Sequence, residues 1–130
     1  MKYVFPAIFE EAEEGGFNIR VPDIKGCFTC ADTLEDALYM AKDALEMMLV
    51  SMEDDGEKIP KSTDIKEVEK QTSGFVSYIL ADTLKWRKTF DRRTMKKTVT
   101  IPAWLNAKAE EAGINFSQTL QEALLEKLGY

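Results

Sequence analysis

Side chains capable of catalysis are sparse in this sequence of 130 residues. It contains no histidine, so it lacks the commonest general base and the usual partner of a nucleophilic serine or cysteine. Cys27 and Cys30 have a C-x-x-C spacing, but a redox pair is expected to open a helix, where the dipole lowers a thiol pKa. A zinc site needs two more ligands, which only a second chain could donate. We therefore predict structural cysteines and no catalytic residue, metal or cofactor.

Charge is distributed unevenly along the chain. The net charge is −6, but residues 1–84 hold 8 basic and 18 acidic residues, a net of −10. Residues 85–97 have a net charge of +6, and residues 98–130 have a net charge of −2. An acidic body joined to a short basic band indicates two different partners.

The stretch after Thr94 alternates as a strand does. Its outward face holds side chains that could reach phosphates and base edges, namely Lys96, Thr98 and Thr100. The other face holds Lys97, Val99 and Ile101. A lone strand cannot satisfy its backbone hydrogen bonds, so we expect two chains to pair here.

Two short helices are predicted to follow this strand. Pro102 suits the first position of one helix, Gly113 ends it, and Ser117 is the expected N-cap of the next. Apolar positions form one face on each helix: Leu105, Ala109 and Ala112, then Leu120, Ala123, Leu124 and Leu128. Because about 35 residues bury too little surface to fold alone, we predict a homodimer with a shared four-helix core.

The segment VTIPAWLNAKAEEAGINFSQTLQEAL resembles the ribbon-helix-helix repressors in its order of strand, proline, helix, glycine, polar cap and helix. The resemblance implies that the paired strands enter the major groove of operator DNA, with a phosphate at the N-terminus of the second helix. The residues expected to contact DNA are Arg93, Lys96, Lys97, Thr98, Thr100, Asn115 and Ser117. Phe116 departs from the expected pattern, since a polar or basic residue could touch phosphate there. The alternative is a helical hairpin whose strand serves only in dimerisation.

The first 82 residues have the pattern of a βββαβ domain. Strands are predicted at Lys2–Phe9, Phe17–Val21 and about Cys27–Ala31, as an antiparallel meander with Pro6 at an edge or bulge. A fourth strand, Gly74–Ala81, is expected to join this sheet after a polar loop over residues 57–72.

One long helix separates the meander from the fourth strand. Thr33 is its expected N-cap, and Gly56 is a plausible cap at its other end. Its apolar stripe consists of Leu34, Leu38, Ala41, Leu45, Met48 and Met52. Residues 83–93 receive no assigned conformation.

The sequence YVFPAIFEEAEEGGFNIRVPDIKGCFTCADTLEDALYMAKDALEMMLVSMEDDGEKIP resembles a HicB-type antitoxin domain. The resemblance implies a partial ribonuclease-H-like fold, repression of the protein's own operon, and a HicA-type partner. Such partners are small, basic ribonucleases that cleave messenger RNA with a histidine. The acidic clusters that could contact the toxin are Glu10, Glu11, Glu13 and Glu14, and Glu53, Asp54 and Asp55. The alternative for each cluster, which the charge pattern alone favours, is a solvated loop.

We thus expect an α+β chain with a toxin-neutralising domain (1–82), a basic connecting segment (83–93) and a ribbon-helix-helix domain (94–130). A cytoplasmic location without a membrane partner is expected, because no apolar run approaches about 18 residues and no signal peptide is evident. Higher oligomers than the dimer are possible. One alternative is a stand-alone ribbon-helix-helix regulator whose first domain binds a ligand or oligomerises. A nuclease is less favoured, because the first strand has no carboxylate in its body.

Overall fold

The computed structural model describes residues 1–130. The chain divides into two compact units, Met1–Asp91 and Arg92–Tyr130. No helix combines the length and the apolar character that crossing a lipid bilayer requires.

The first unit contains one antiparallel sheet. Its strands are β1 (Lys2–Glu11), β2 (Phe17–Arg20), β3 (Phe28–Ala31) and β4 (Phe75–Asp82), in the spatial order β3-β2-β1-β4. Each strand is antiparallel to its neighbours. The predicted meander and the fourth strand beside it are therefore confirmed.

Pro6 lies where a missing backbone donor is tolerated. Strand β4 pairs with β1 from Lys2 to Phe9, whereas β2 pairs only with its last part, Ile8–Glu11. The section of β1 around Pro6 thus pairs with a strand on one side only. Although β1 is a central strand, Pro6 has the one-sided pairing of an edge strand, as expected.

Helix α1 (Leu34–Asp54) begins and ends as the sequence indicates. The Thr33 hydroxyl accepts a hydrogen bond from the backbone N–H of Asp36 over 3.1 Å. At the other end Gly56, with φ +69°, donates to the Glu53 carbonyl. Both caps satisfy backbone groups that a helix leaves without internal partners.

The apolar stripe of α1 differs in part from the prediction. Ala41 and Leu45 are buried as expected, and the helix also buries Ala37 and Leu49 against the sheet core. Leu34 and Leu38, which were predicted to be buried, remain 50% and 42% exposed. Small alanines bring the helix close to the sheet, and the first turns of the stripe stay partly uncovered.

A second, shorter helix corrects the predicted loop at residues 57–72. Helix α2 (Ile65–Glu69) is capped by the Asp64 carboxylate and packs against β1 and β4. Val68 of α2 is fully buried. Ile8 of β1 is also fully buried, and its side chain lies on the face of the sheet opposite to the one that packs against α1. Five residues with three charges, IKEVE, are too short to show a helical period.

Helix α3 (Thr83–Phe90) occupies most of the stretch that the sequence left unassigned, and it packs against α1. It begins directly after β4, where the Asp82 carboxylate accepts a hydrogen bond from the backbone N–H of Lys85 over 3.1 Å.

The second unit contains α4 (Ala103–Glu111) and α5 (Phe116–Leu128), separated by Gly113 with φ +70°. Two predicted positions are wrong by one or two residues. Pro102 precedes α4 with an extended ψ of 140° and is not its first helical residue. Asn115, not Ser117, caps α5, and its side-chain oxygen accepts from the backbone N–H of Gln118 over 3.0 Å.

The predicted strand after Thr94 is absent from the single chain. Residues 91–102 have neither helical nor strand hydrogen bonding. A strand is defined by its ladder, and one copy of this segment has no second copy with which to form it.

Candidate interaction surfaces

The first acidic cluster surrounds the β1–β2 hairpin. Glu10 and Glu11 end β1 opposite Asn18 and Phe17, whereas Glu13 and Glu14 lie in the connecting turn. Gly16 closes this turn with φ +78°, and a Cβ there would overlap the Ala31 carbonyl oxygen. The glycine therefore allows the acidic turn to lie close to the end of β3.

Three aromatic rings meet at the same end of the sheet. Phe9 and Phe75 stack with centroids 4.7 Å apart, and Phe17 meets Phe75 edge-on at 6.0 Å. Phe75 is nevertheless 41% exposed and Leu34 is 50% exposed. The rings are thus held rigidly while part of their apolar surface faces solvent.

Two open concavities of about 620 and 500 Å³ flank the hairpin and share Phe17. We call their combined lining the hairpin-end surface. Its apolar members include Phe9, Phe17, Leu34 and Phe75. Its five carboxylates are those of Glu10, Glu11, Glu13, Glu14 and Asp32, and no lysine or arginine lines it. The surface therefore joins exposed aromatic area to a rim of negative charge.

The second acidic cluster, at the end of α1, is largely occupied by internal contacts. The side chain of Glu53 is only 14% exposed and pairs with Arg87 over 3.1 Å. It also accepts hydrogen bonds from the hydroxyls of Tyr3, at 2.7 Å, and Thr83, at 3.1 Å. Arg87 pairs with Asp54 as well, over 2.9 Å. Only Asp55 of this cluster is exposed without an ion pair.

Arg87 is the cation that organises this network. Burial alone lowers the pKa of its guanidinium, but hydrogen bonds to Glu53 and Asp54 outweigh that cost, so the pKa is raised. Thr83, fully buried, donates to Glu53 and accepts from the N-terminal amino group of Met1 over 3.0 Å. These contacts fix α3 against α1 and against the start of β1.

The two cysteines lie in different environments. Cys27 is buried in the core just before β3, and burial raises the pKa of its thiol to about 11. Cys30 lies in β3 and is exposed. Neither opens a helix, and no group of three or more cysteine, histidine or acidic side chains is arranged to hold a metal.

The residues expected to contact DNA all lie on the surface of the second unit. The side chains of Arg93, Lys96, Lys97, Thr98 and Thr100 are exposed in the segment before α4. Asn115 and Ser117 are exposed at the start of α5, where the Asn115 side chain already occupies one helix-terminal N–H.

The helices of the second unit leave their apolar faces uncovered. Leu105 is 41% exposed, and Leu120, Leu124 and Leu128 are 38%, 50% and 69% exposed. Neither α4 nor α5 contains a buried residue. Such a set of apolar side chains is typical of a surface that another chain covers.

Sequence reasoning did not single out Phe17, Phe75 and Arg87. Phe17 and Phe75 each follow a glycine at the start of a strand, which is a local sign that they share one end of the sheet. Nothing local indicates the partner of Arg87, because its carboxylates lie more than 30 positions away in sequence.

Comparison with known proteins identifies relatives of this chain. The family described as HicB_like antitoxin of bacterial toxin-antitoxin system matches residues 5–127. An uncharacterized 14.9 kDa protein of Haemophilus phage HP1 is 36% identical over 64 residues, covering 49% of this chain and 47% of the phage protein. Antitoxin HicB 1 of Photorhabdus laumondii is 45% identical over 56 residues, covering 43% of this chain and 36% of that antitoxin. The chain thus matches less than half the length of both curated relatives.

Solved structures share the fold. A chain of a toxin–antitoxin complex from Streptococcus pneumoniae superposes with a TM-score of 0.60 at 24% identity, covering 98% of this chain and 99% of that one. The antitoxin HicB of Burkholderia pseudomallei has a TM-score of 0.56 at 19% identity with the same coverage of both chains. At these identities the likeness shows a common fold. The family match over residues 5–127 establishes that the chain belongs to the HicB-like antitoxin family of bacterial toxin–antitoxin systems.

Proposed function

We propose that this antitoxin inhibits a HicA-type ribonuclease toxin through its first unit and represses its own operon through its second. One observation carries the proposal. A single chain joins an acidic compact unit to a second unit whose apolar helix faces lie exposed. The two units have the properties that two different partners require.

The acidic first unit is suited to a basic toxin. Residues 1–84 have a net charge of −10, and a protein that cleaves RNA needs a basic face for its substrate. An acidic surface competes for that face and accelerates association with it. Inhibition by occlusion of the toxin needs no catalytic residue on the antitoxin.

In the second unit we propose a ribbon-helix-helix dimer. Two copies would pair residues 94–101 into a ribbon and cover the exposed leucines of α4 and α5 in a four-helix core. Lys96, Thr98 and Thr100 would then face the major groove of the operator. The Asn115 cap uses only the backbone N–H of Gln118. The backbone N–H groups of Phe116 and Ser117 and the Ser117 hydroxyl would therefore be available to bind a phosphate.

The finer description of the fold belongs to the same proposal. A meander packed under one long helix, with a fourth strand beside β1, supports a partial ribonuclease-H-like domain over residues 1–82. Residues 83–93 would connect it to the DNA-binding domain, 94–130, and the protein would act in the cytoplasm.

Co-expression tests the toxin half of the proposal. We expect the gene next to this one to encode the partner, a small, basic protein with a histidine, and the co-expressed form has that histidine replaced so that cells survive. We expect the two proteins to co-purify, and the purified antitoxin to stop RNA cleavage by the active toxin at a stoichiometric ratio. A chain that shifts operator DNA but leaves RNA cleavage unchanged would instead be a stand-alone regulator.

Removing the second unit tests which unit binds the toxin and which binds the operator. Because residues 1–91 form a compact unit, we compare them with the full chain for toxin binding and for operator shifts. Retained toxin binding with lost operator binding is the expected result. Loss of toxin binding from a folded fragment would contradict the assignment to the first unit.

A further inference from the structure

We propose that the hairpin-end surface is the face of this antitoxin onto which its basic toxin docks. The inference rests on the proposed function, because it places a contact with that toxin on one end of the sheet. The sequence offers two acidic clusters of similar density, and the structure separates them.

The cluster at the end of α1 is a poor docking site because two of its three carboxylates, those of Glu53 and Asp54, are engaged within the chain. Glu53 accepts from Tyr3, Thr83 and Arg87 and is 14% exposed. Asp54 shares the same guanidinium. A partner arginine or lysine would have to displace Arg87 from contacts that hold α3 in place.

The carboxylates of the hairpin are available. Glu11, Glu13 and Glu14 are exposed and form no ion pair within the chain. Glu10 has one long contact to Arg20, at 3.5 Å, between side chains that are both more than 40% exposed. Exposed pairs of this kind contribute little and are readily exchanged for a partner cation.

An apolar centre lies beside these charges. Phe75 and Leu34 are 41% and 50% exposed and line one concavity, and Phe17 links it to the next. Stacking on Phe9 fixes the Phe75 ring, so little side-chain entropy is lost when a partner covers it. Exposed aromatic area ringed by polar groups is the usual composition of a protein interface.

Charge and shape together select the class of partner. Five carboxylates, of which only Glu10 has a cation partner, repel the phosphates of RNA and DNA. Both concavities are open, and no group of acidic side chains is arranged for a metal ion. A basic protein that also presents an apolar side chain satisfies both parts of the surface.

Charge reversal tests the rim. In the full chain, Glu13→Lys with Glu14→Lys is compared with the matched control Asp55→Lys with Glu57→Lys. Both double variants raise the net charge by the same amount at exposed positions without ion pairs. Binding of the histidine-replaced neighbouring toxin is followed by surface plasmon resonance. We expect association with the hairpin variant to slow about tenfold or more, with a weaker salt dependence, and the control to change by less than about threefold.

Truncation of the apolar centre tests the other half. Phe75→Ala and Leu34→Ala are expected to accelerate toxin dissociation about tenfold while leaving association nearly unchanged. Leu34 lies outside the main core, so it provides a variant that folds if loss of the Phe9–Phe75 stack destabilises the sheet. Circular dichroism melting curves establish that each variant is folded before its kinetics are compared.

The outcomes separate the two proposals. If the wild-type chain does not bind the toxin, the proposed function and the docking surface both fail. If the wild type binds and the two charge-reversal pairs weaken binding equally, only the docking surface is refuted, since attraction then depends on net charge alone. Unchanged dissociation of Leu34→Ala and of folded Phe75→Ala refutes the apolar centre.

Discussion

Arg87 donates a hydrogen bond from Nη2 to Oε1 of Glu53 over 3.1 Å, and this contact joins α3 to the last turn of α1. The same guanidinium reaches Asp54 through Nη1, at 2.9 Å. A residue of the basic band thus has a structural role inside the acidic unit. Glu53 and Asp54 at the end of α1 pair with a cation of their own chain, whereas Glu11, Glu13 and Glu14 of the hairpin are exposed and form no ion pair.

Replacing Arg87 is expected to destabilise the first unit. Arg87→Ala leaves the mostly buried carboxylate of Glu53 without its cation, while the Asp54 partner is solvated. We expect a loss of about 1–3 kcal/mol in the free energy of unfolding, reduced from a fully buried pair by the exposure of Arg87. Urea unfolding of the full chain, followed by circular dichroism, measures it. Lys88→Ala on the same helix, which is exposed and has no ion pair, should change stability by less than about 0.5 kcal/mol.

The cysteines are expected to differ in reactivity. Thiolates react with maleimides, and burial raises the pKa of Cys27 to about 11, so almost none of it is ionised at neutral pH. Native protein should therefore be labelled once, at Cys30, and twice in denaturant. Mass spectrometry of the intact chain counts the labels, with Cys30→Ser as the control that should remain unlabelled when folded. Rapid double labelling of native protein would contradict the buried position of Cys27.

The same thiol predicts a loss of stability at high pH. The folded pKa of about 11 lies above the ordinary value of 9.0, so folding favours the protonated thiol. Its contribution is fully present below about pH 9 and is lost as the pH rises toward 11, by at most about 3 kcal/mol. Urea unfolding between pH 7 and 11 should show a steeper decline for the wild type than for Cys27→Ala. Parallel declines would mean that other groups account for the whole effect.

The proposed dimer core predicts the effect of a charge on α5. Leu124 is 50% exposed in one chain, and Leu124→Lys would place a cation inside the proposed four-helix core. We expect the dimer to dissociate to monomers at micromolar concentration, as measured by light scattering after size exclusion. Gln118→Lys adds the same charge about 120° around the helix axis from Leu124, on the side where Gln118 bonds Glu122, and should stay dimeric. Dimers of both variants would place the subunit contact elsewhere.

The proposed ribbon predicts which exposed side chains bind the operator. Lys96→Ala and Thr98→Ala should each abolish operator shifts at concentrations that saturate the wild type, because both residues would face the groove. Circular dichroism and light scattering should show unchanged folding and dimerisation. Lys108→Ala, on an exposed face of α4, is the control that should bind normally. If both ribbon variants keep their affinity, the ribbon assignment is wrong.

Local sequence was sufficient wherever a short-range pattern determines structure. Short runs of β-forming residues bounded by turns predicted the four strands of the first unit, and the caps at Thr33 and Gly56 predicted the limits of α1. The sequence motifs also predicted the HicB-type antitoxin family, and the family match over residues 5–127 confirms that prediction. Helix α2 was not predicted, because one buried valine, Val68, among five residues shows no helical periodicity.

Tertiary structure decided which of the two acidic runs has carboxylates available to a partner. Two acidic runs have nearly the same composition, yet Arg87 reaches one of them across 34 positions of sequence. Phe9, Phe17 and Phe75 become neighbours only because β1 pairs with both β2 and β4. Charge and hydrophobicity are properties of single residues, whereas exposure and pairing depend on long-range contacts, so only the folded chain separates a structural carboxylate from one free to bind.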